Sequence, residues 1–201
     1  MNFPVPQFAT DLIRRWWDGV CDAVDQFLAI YTPADGEAPL RIPRSEARSV
    51  NAALDMFEAV IRRILVVMCA ELGPTPAPGP LAPLLFCIEE APSAPVIRQP
   101  REVDPDYCLK APPERALHTD SPSDGLVSSA RLLKRLAALA HVFDNGQLYL
   151  DAMCARLCAH LKPLRAELPA PFTAASLPES QAADLRNIHQ VSLSAQAYNS
   201  S

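Results

Sequence analysis

The sequence predicts an all-α protein: an antiparallel bundle of about four helices with a long proline-rich insert. Apolar residues recur at steps of three and four along four separate stretches, the spacing of a one-sided helix. Twelve of the 21 prolines fall between Pro74 and Pro122, a segment that can be neither helix nor central strand. The chain is 49% hydrophobic, enough for a packed core, and its 6 glycines are too few for glycine-rich cofactor loops.

The first helical pair is expected within residues 1–73. Pro4 and Pro6 hold residues 1–9 extended, and Thr10 or Asp11 is the expected N-cap. Ile13, Trp17, Val20, Val24, Phe27 and Tyr31 then form one apolar stripe. Pro33, Gly36 and Pro39 end this helix. A second begins at "RIPRSEAR", with Ser45 as N-cap and Glu46 at the positive end of the helix dipole. Its stripe is Val50, Leu54, Phe57, Ile61, Ile64, Met68 and Leu72. Ala53, Val60 and Val67 widen it, which makes this helix central to the core. Gly73 and Pro74 are a stop signal.

Residues 74–122 are the insert, expected to be extended or partly disordered. A second helical hairpin is expected over 123–168, packing on the first pair. Its first helix starts near Ser123 or Asp124, with Leu126, Ala130, Leu133, Leu136 or Ala137, Ala140 and Phe143 as the stripe. "DNG" at 144–146 is the turn. The last helix runs from Gln147 to His160 with a stripe of Leu150, Cys154, Leu157 and Leu161. Residues 169–201 read as a flexible tail in which "PESQAADLRNIHQ" can form one short helix.

Charge and motif content exclude several functions. A formal net charge of −5 argues against a nucleic-acid surface. Arg131, Lys134 and Arg135 are a local basic cluster, read as a solvated helix face, as are Arg62 and Arg63. The longest apolar run, Ile64 to Ala70, falls far short of a membrane span of about 20 residues. The N-terminus lacks the pattern of a secretory signal, so the six cysteines are expected as reduced thiols in the cytosol. No nucleophile elbow, phosphate loop or paired metal-ligand motif is present, so no catalytic residue, metal or cofactor is assigned.

Two stretches remain as candidate sites. "RRWW" places Trp16 and Trp17 about 100° apart on a helix, so one can be buried while the other meets a protein partner. "MCARLCAHLKP" places Cys154 and Cys158 on one helix face, while His160 points away from it. Cys154 shares the leucine stripe and reads first as core, with Cys158 the more accessible thiol. "MCAEL" at 68–72 recurs as "MCARL" at 153–157.

"RIPRSEARSVNAALDMFEAVIRRILVV" and "LLKRLAALAHVFDNGQLYLDAMCARL" resemble small uncharacterised helical proteins of alphaproteobacteria. The resemblance implies a bacterial cytosolic protein and carries over no functional residue. The residues themselves point to a non-enzymatic helical protein–protein interaction module, an adaptor or an assembly subunit, with a protein partner or self-association expected. A redox or metal sensor using Cys154 and Cys158 is the alternative. Peripheral membrane attachment through the first helix is weaker, because that helix carries an acidic face.

Overall fold

The computed structural model describes residues 2–33, 39–73, 125–158 and 178–199. Over these the protein is mainly helical, with five helices and one two-stranded sheet. The insert expected at 74–122 lies outside the described residues, as does His160.

Helix α1 (Gln7–Tyr31) begins three residues before the expected cap, directly after Pro6. Pro6 is extended (φ −62°, ψ 143°), and its carbonyl accepts from the amides of Ala9 and Thr10. Proline suits this position, because the missing N–H is not needed there. Strand β1 (Arg41–Pro43) runs straight into helix α2 (Arg44–Leu72), so Pro43 rather than Ser45 precedes the helix. Gly73 ends α2 as expected. It adopts φ 88°, and a Cβ there would come within 2.9 Å of the Asn2 side chain.

The expected start of the third helix is instead strand β2 (Leu126–Ser128), followed by helix α3 (Ala130–Asp144). β2 pairs antiparallel with β1, Ile42 opposite Val127. The pairing fixes the starts of α2 and α3 side by side. It takes Leu126 out of the helical stripe and leaves it exposed. The α3 core face is accordingly Leu132, Leu136, Leu139 and Val142. Leu133, Ala140 and Phe143, expected in the core, pack at its margin. Asn145 then links α3 to helix α4 (Gly146–Cys158) at φ −127°, so this turn needs no left-handed residue.

Helix α5 (Glu179–Asn199) contains the short helix expected at "PESQAADLRNIHQ" and extends it, so these residues are not part of the flexible tail expected over 169–201. It buries Leu185, Ile188, Val191 and Ala195 and makes its largest interface with α2. Its small and polar residues hide this in the sequence, because small residues allow close approach without forming a strong apolar stripe.

Helix α2 packs against the other four helices. Val60, Ile61, Ile64, Leu65, Val66 and Val67 are all essentially inaccessible. Each such side chain stabilises the fold by about 1.5–3 kcal/mol through burial alone. Arg63, expected on a solvated face, is fully buried as well. Its Nε donates to His189 Nδ1 at 3.0 Å and its Nη1 to the Ala59 carbonyl at 3.0 Å. The bond requires His189 to be neutral at Nδ1. Arg135, also expected in solvent, reaches from α3 to Asp55 (2.6 Å), Glu58 (2.9 Å) and Asn51 (2.9 Å) on α2. Burial works against its charge, but Asp55 and Glu58 outweigh that and raise its pKa. Glu58 also stands 3.9 Å from Arg62, one turn later on the same helix.

Two contacts pair opposite ends of α1 and α2, which therefore run antiparallel. The Phe3 amide donates to the Ala70 carbonyl, and the Tyr31 hydroxyl donates to Glu46 at 2.6 Å. Burial first, and then Glu46, push the Tyr31 hydroxyl up from its ordinary value to about 12.

Two outcomes follow for stability. His189→Leu leaves the buried Arg63 Nε without its acceptor and should cost about 1–3 kcal/mol in urea unfolding. The unfolded chain ionises Tyr31 more readily than the folded protein does. The contribution of Tyr31 is therefore complete below its unfolded pKa and fades as pH rises through the folded value of about 12. Tyr31→Phe should make the melting temperature less sensitive to pH across that alkaline window.

Candidate partner-binding groove

The two tryptophans occupy different environments although both are half-buried. Trp16 packs against the core. Trp17 stacks edge-on against Phe143, with ring centroids 5.0 Å apart, and lies near the start of α4, where a Cβ added to Gly146 would come within 3.8 Å of its ring. Its remaining face lines a groove of about 260 Å³. Val5, Ile13 and Met68 complete the apolar floor, and Arg14, Asp18 and Glu71 stand around it. The groove therefore joins the extended N-terminal segment, α1 and the last turns of α2. The Phe3–Ala70 backbone bond positions the strip that carries Val5.

This volume is below the roughly 300 Å³ at which small-molecule pockets begin. It fits one or two apolar side chains of a partner. Leu72, 60% exposed, is one turn beyond Met68 on the same helix face and extends the apolar surface. Along α1, Asp18, Asp22 and Asp25 are exposed, so the ground beside the groove is acidic. The sequence named Trp16 and Trp17 together, with Trp17 on the apolar stripe of the first helix. It gave no sign of Val5 or Met68 as its neighbours, because their meeting depends on the antiparallel pairing of α1 and α2.

The cysteine expectations change more. Cys154 is buried, but its neighbour is Cys69 of α2, with Cα atoms 5.3 Å apart and the sulfurs in disulfide contact. This corrects the expectation that both are isolated reduced thiols. The side chain of Cys158 lies outside the described residues. The repeated "MCAEL" and "MCARL" contained the available signal, since these are the two cysteines that meet. Cys21 is a free, half-buried thiol, raised above its ordinary pKa by burial and then by Asp25, Asp22, Asp144 and Asp18.

Among the described residues, no group of three or more metal-ligating side chains comes together. His141 Nδ1 lies 2.9 Å from the Tyr149 hydroxyl, but Tyr149 is fully buried, so the pair joins α3 to α4 rather than facing a substrate. None of the described helices is long and apolar enough to cross a membrane. No family model matches the chain, and no curated protein or solved structure shows significant similarity to it.

The acidic surroundings of Cys21 make it a poor nucleophile near neutral pH. Its alkylation by iodoacetamide should be slower than that of a free cysteine peptide at pH 8. Replacing Asp22 and Asp25 with Asn should narrow the gap, as followed by mass spectrometry of the Cys21 peptide.

Proposed function

We propose that this chain is a non-enzymatic helical interaction module that binds a protein partner through the Trp17 groove. The helices act in this reading as a bundle, a rigid frame for one exposed apolar strip. The observation that carries it is the open face of Trp17 among Val5, Ile13 and Met68, continued by the exposed Leu72. Tryptophan in a partly preformed apolar depression is the usual anchor of a protein interface. The acidic run Asp18, Asp22 and Asp25 selects for charge: the complementary partner is an amphipathic helix with an apolar anchor flanked by Lys or Arg. The same acidic run opposes nucleic acid and anionic lipid. Trp16 packs against the core outside the lining of the groove and is not the contact in this reading.

The test is selection of a displayed library of amphipathic helical peptides on the purified full chain, followed by titration calorimetry. Enriched peptides should combine a bulky apolar residue with basic neighbours. Trp17→Ala and Leu72→Asp should each weaken binding, Trp17→Ala by about tenfold or more. Peptides without an apolar anchor, or equal affinity for both variants and the parent, would sink the reading. Light scattering on the free chain distinguishes a second copy as the occupant.

A further inference from the structure

Helix α4 lies close behind both walls of the groove. Its first residue, Gly146, is near the Trp17 ring, which an added Cβ there would approach to 3.8 Å. Two turns later Cys154 meets Cys69, which lies between Met68 and Glu71, the α2 residues that line the groove. The two cysteines are separated by 85 residues of sequence. Their Cα spacing of 5.3 Å falls within the range a disulfide spans without backbone movement. Both side chains are buried, Cys69 at 0% and Cys154 at 5% exposure. As thiols they fill the same space as small apolar groups, so the reduced protein keeps its fold.

We propose that Cys69 and Cys154 form a thiol–disulfide switch that sets how firmly the two walls of the groove are held together. The proposal rests on the groove being the binding site. Its co-reactant is a low-molecular-weight disulfide of the glutathione class. A thiolate of the pair attacks the oxidant's S–S bond, forming a mixed disulfide and releasing one small thiol. The second protein thiolate then displaces the other small thiol and closes Cys69–Cys154. Two electrons and two protons leave the protein dithiol, and the oxidant's disulfide becomes two thiols. Cys154, the less buried of the two, is the point of entry. Because exchange must await local opening of α4, the switch responds to a sustained change in redox poise and not to a brief one. In the closed state α4 cannot leave α2, so the start of α4 stays beside Trp17 and Met68 stays aligned with it. In the open state the α4 support loosens.

The experiment uses the full chain with Trp16→Phe, which leaves Trp17 as the sole tryptophan of the original two. The protein is equilibrated with oxidised glutathione or with excess dithiothreitol. Three readouts are taken: peptide mapping of the cross-link, melting temperature, and acrylamide quenching of Trp17 fluorescence. The oxidised sample should yield a Cys69–Cys154 linked peptide pair. Reduction should lower its melting temperature by roughly 5–15 °C, as expected for losing a long-loop disulfide in a chain of this size. Quenching of Trp17 should rise on reduction. Cys69→Ala and Cys154→Ala should abolish the redox dependence of all three, and Cys21→Ala should leave it intact. The comparison of oxidised and reduced parent needs no variant, so a cysteine substitution that fails to fold does not spoil the test. A missing cross-link, an unchanged melting temperature or unchanged quenching each overturns the switch. If all three respond while no peptide binds, the switch stands and the groove loses its assigned role.

Discussion

Between Ala59 and Val67, helix α2 has almost no solvent side; only Arg62 keeps part of its surface in water. A helix apolar on every face can exist in water only if other elements surround it. α1, α3, α4 and α5 all do so here. The rest of the structure depends on that constraint. Each outer helix has one face determined by α2 and another left over for other work. The buried Arg63 is the exception inside the apolar cylinder. Its guanidinium is tolerated because His189 and the Ala59 carbonyl accept from it in place of water. The same bond fixes α5 in register along α2, since no other position of α5 would bring a histidine to that point.

Polar contacts at the edges then set directions that hydrophobic burial alone leaves open. The β1–β2 pair fixes where α2 and α3 begin. Arg135 holds α3 to α2 through Asp55 and Glu58, with all three side chains retaining some contact with solvent. Tyr31 and Glu46 join the end of α1 to the start of α2. A half-exposed ion pair adds little stability by itself. Its value here is geometric, because it selects one of several ways in which similar apolar faces can pack.

The groove is a consequence of this arrangement. α1 runs back along α2, so the N-terminal strip through Phe3 and Val5 meets the last turns of α2. Three segments converge without filling the space between them, and Trp17 is left with one open face. The Cys69–Cys154 contact lies directly behind this convergence, on the side toward α4. Groove and sulfur pair are thus neighbours through a single turn of α2, Met68 to Glu71.

The amino-acid sequence by itself determined the helical class, the central place of α2, the stop at Gly73 and the turn near Asn145. These are local properties, set by apolar spacing and by the backbone preferences of glycine and proline. It also named Trp16 and Trp17 together as surface candidates, without deciding between them. Tertiary structure alone decided which thiol meets Cys154, because two residues of distant helices become neighbours only when those helices pack. It also decided that Arg63 is buried: an arginine between core positions reads as solvent-facing until a fifth helix covers it. The full length and burial of helix α5 were illegible beyond the short helix expected in "PESQAADLRNIHQ", because small residues at a close helix contact carry almost no periodic apolar signal. The displacement of Leu126 into a strand has the same origin, since its partner Pro43 lies 83 residues earlier in the chain.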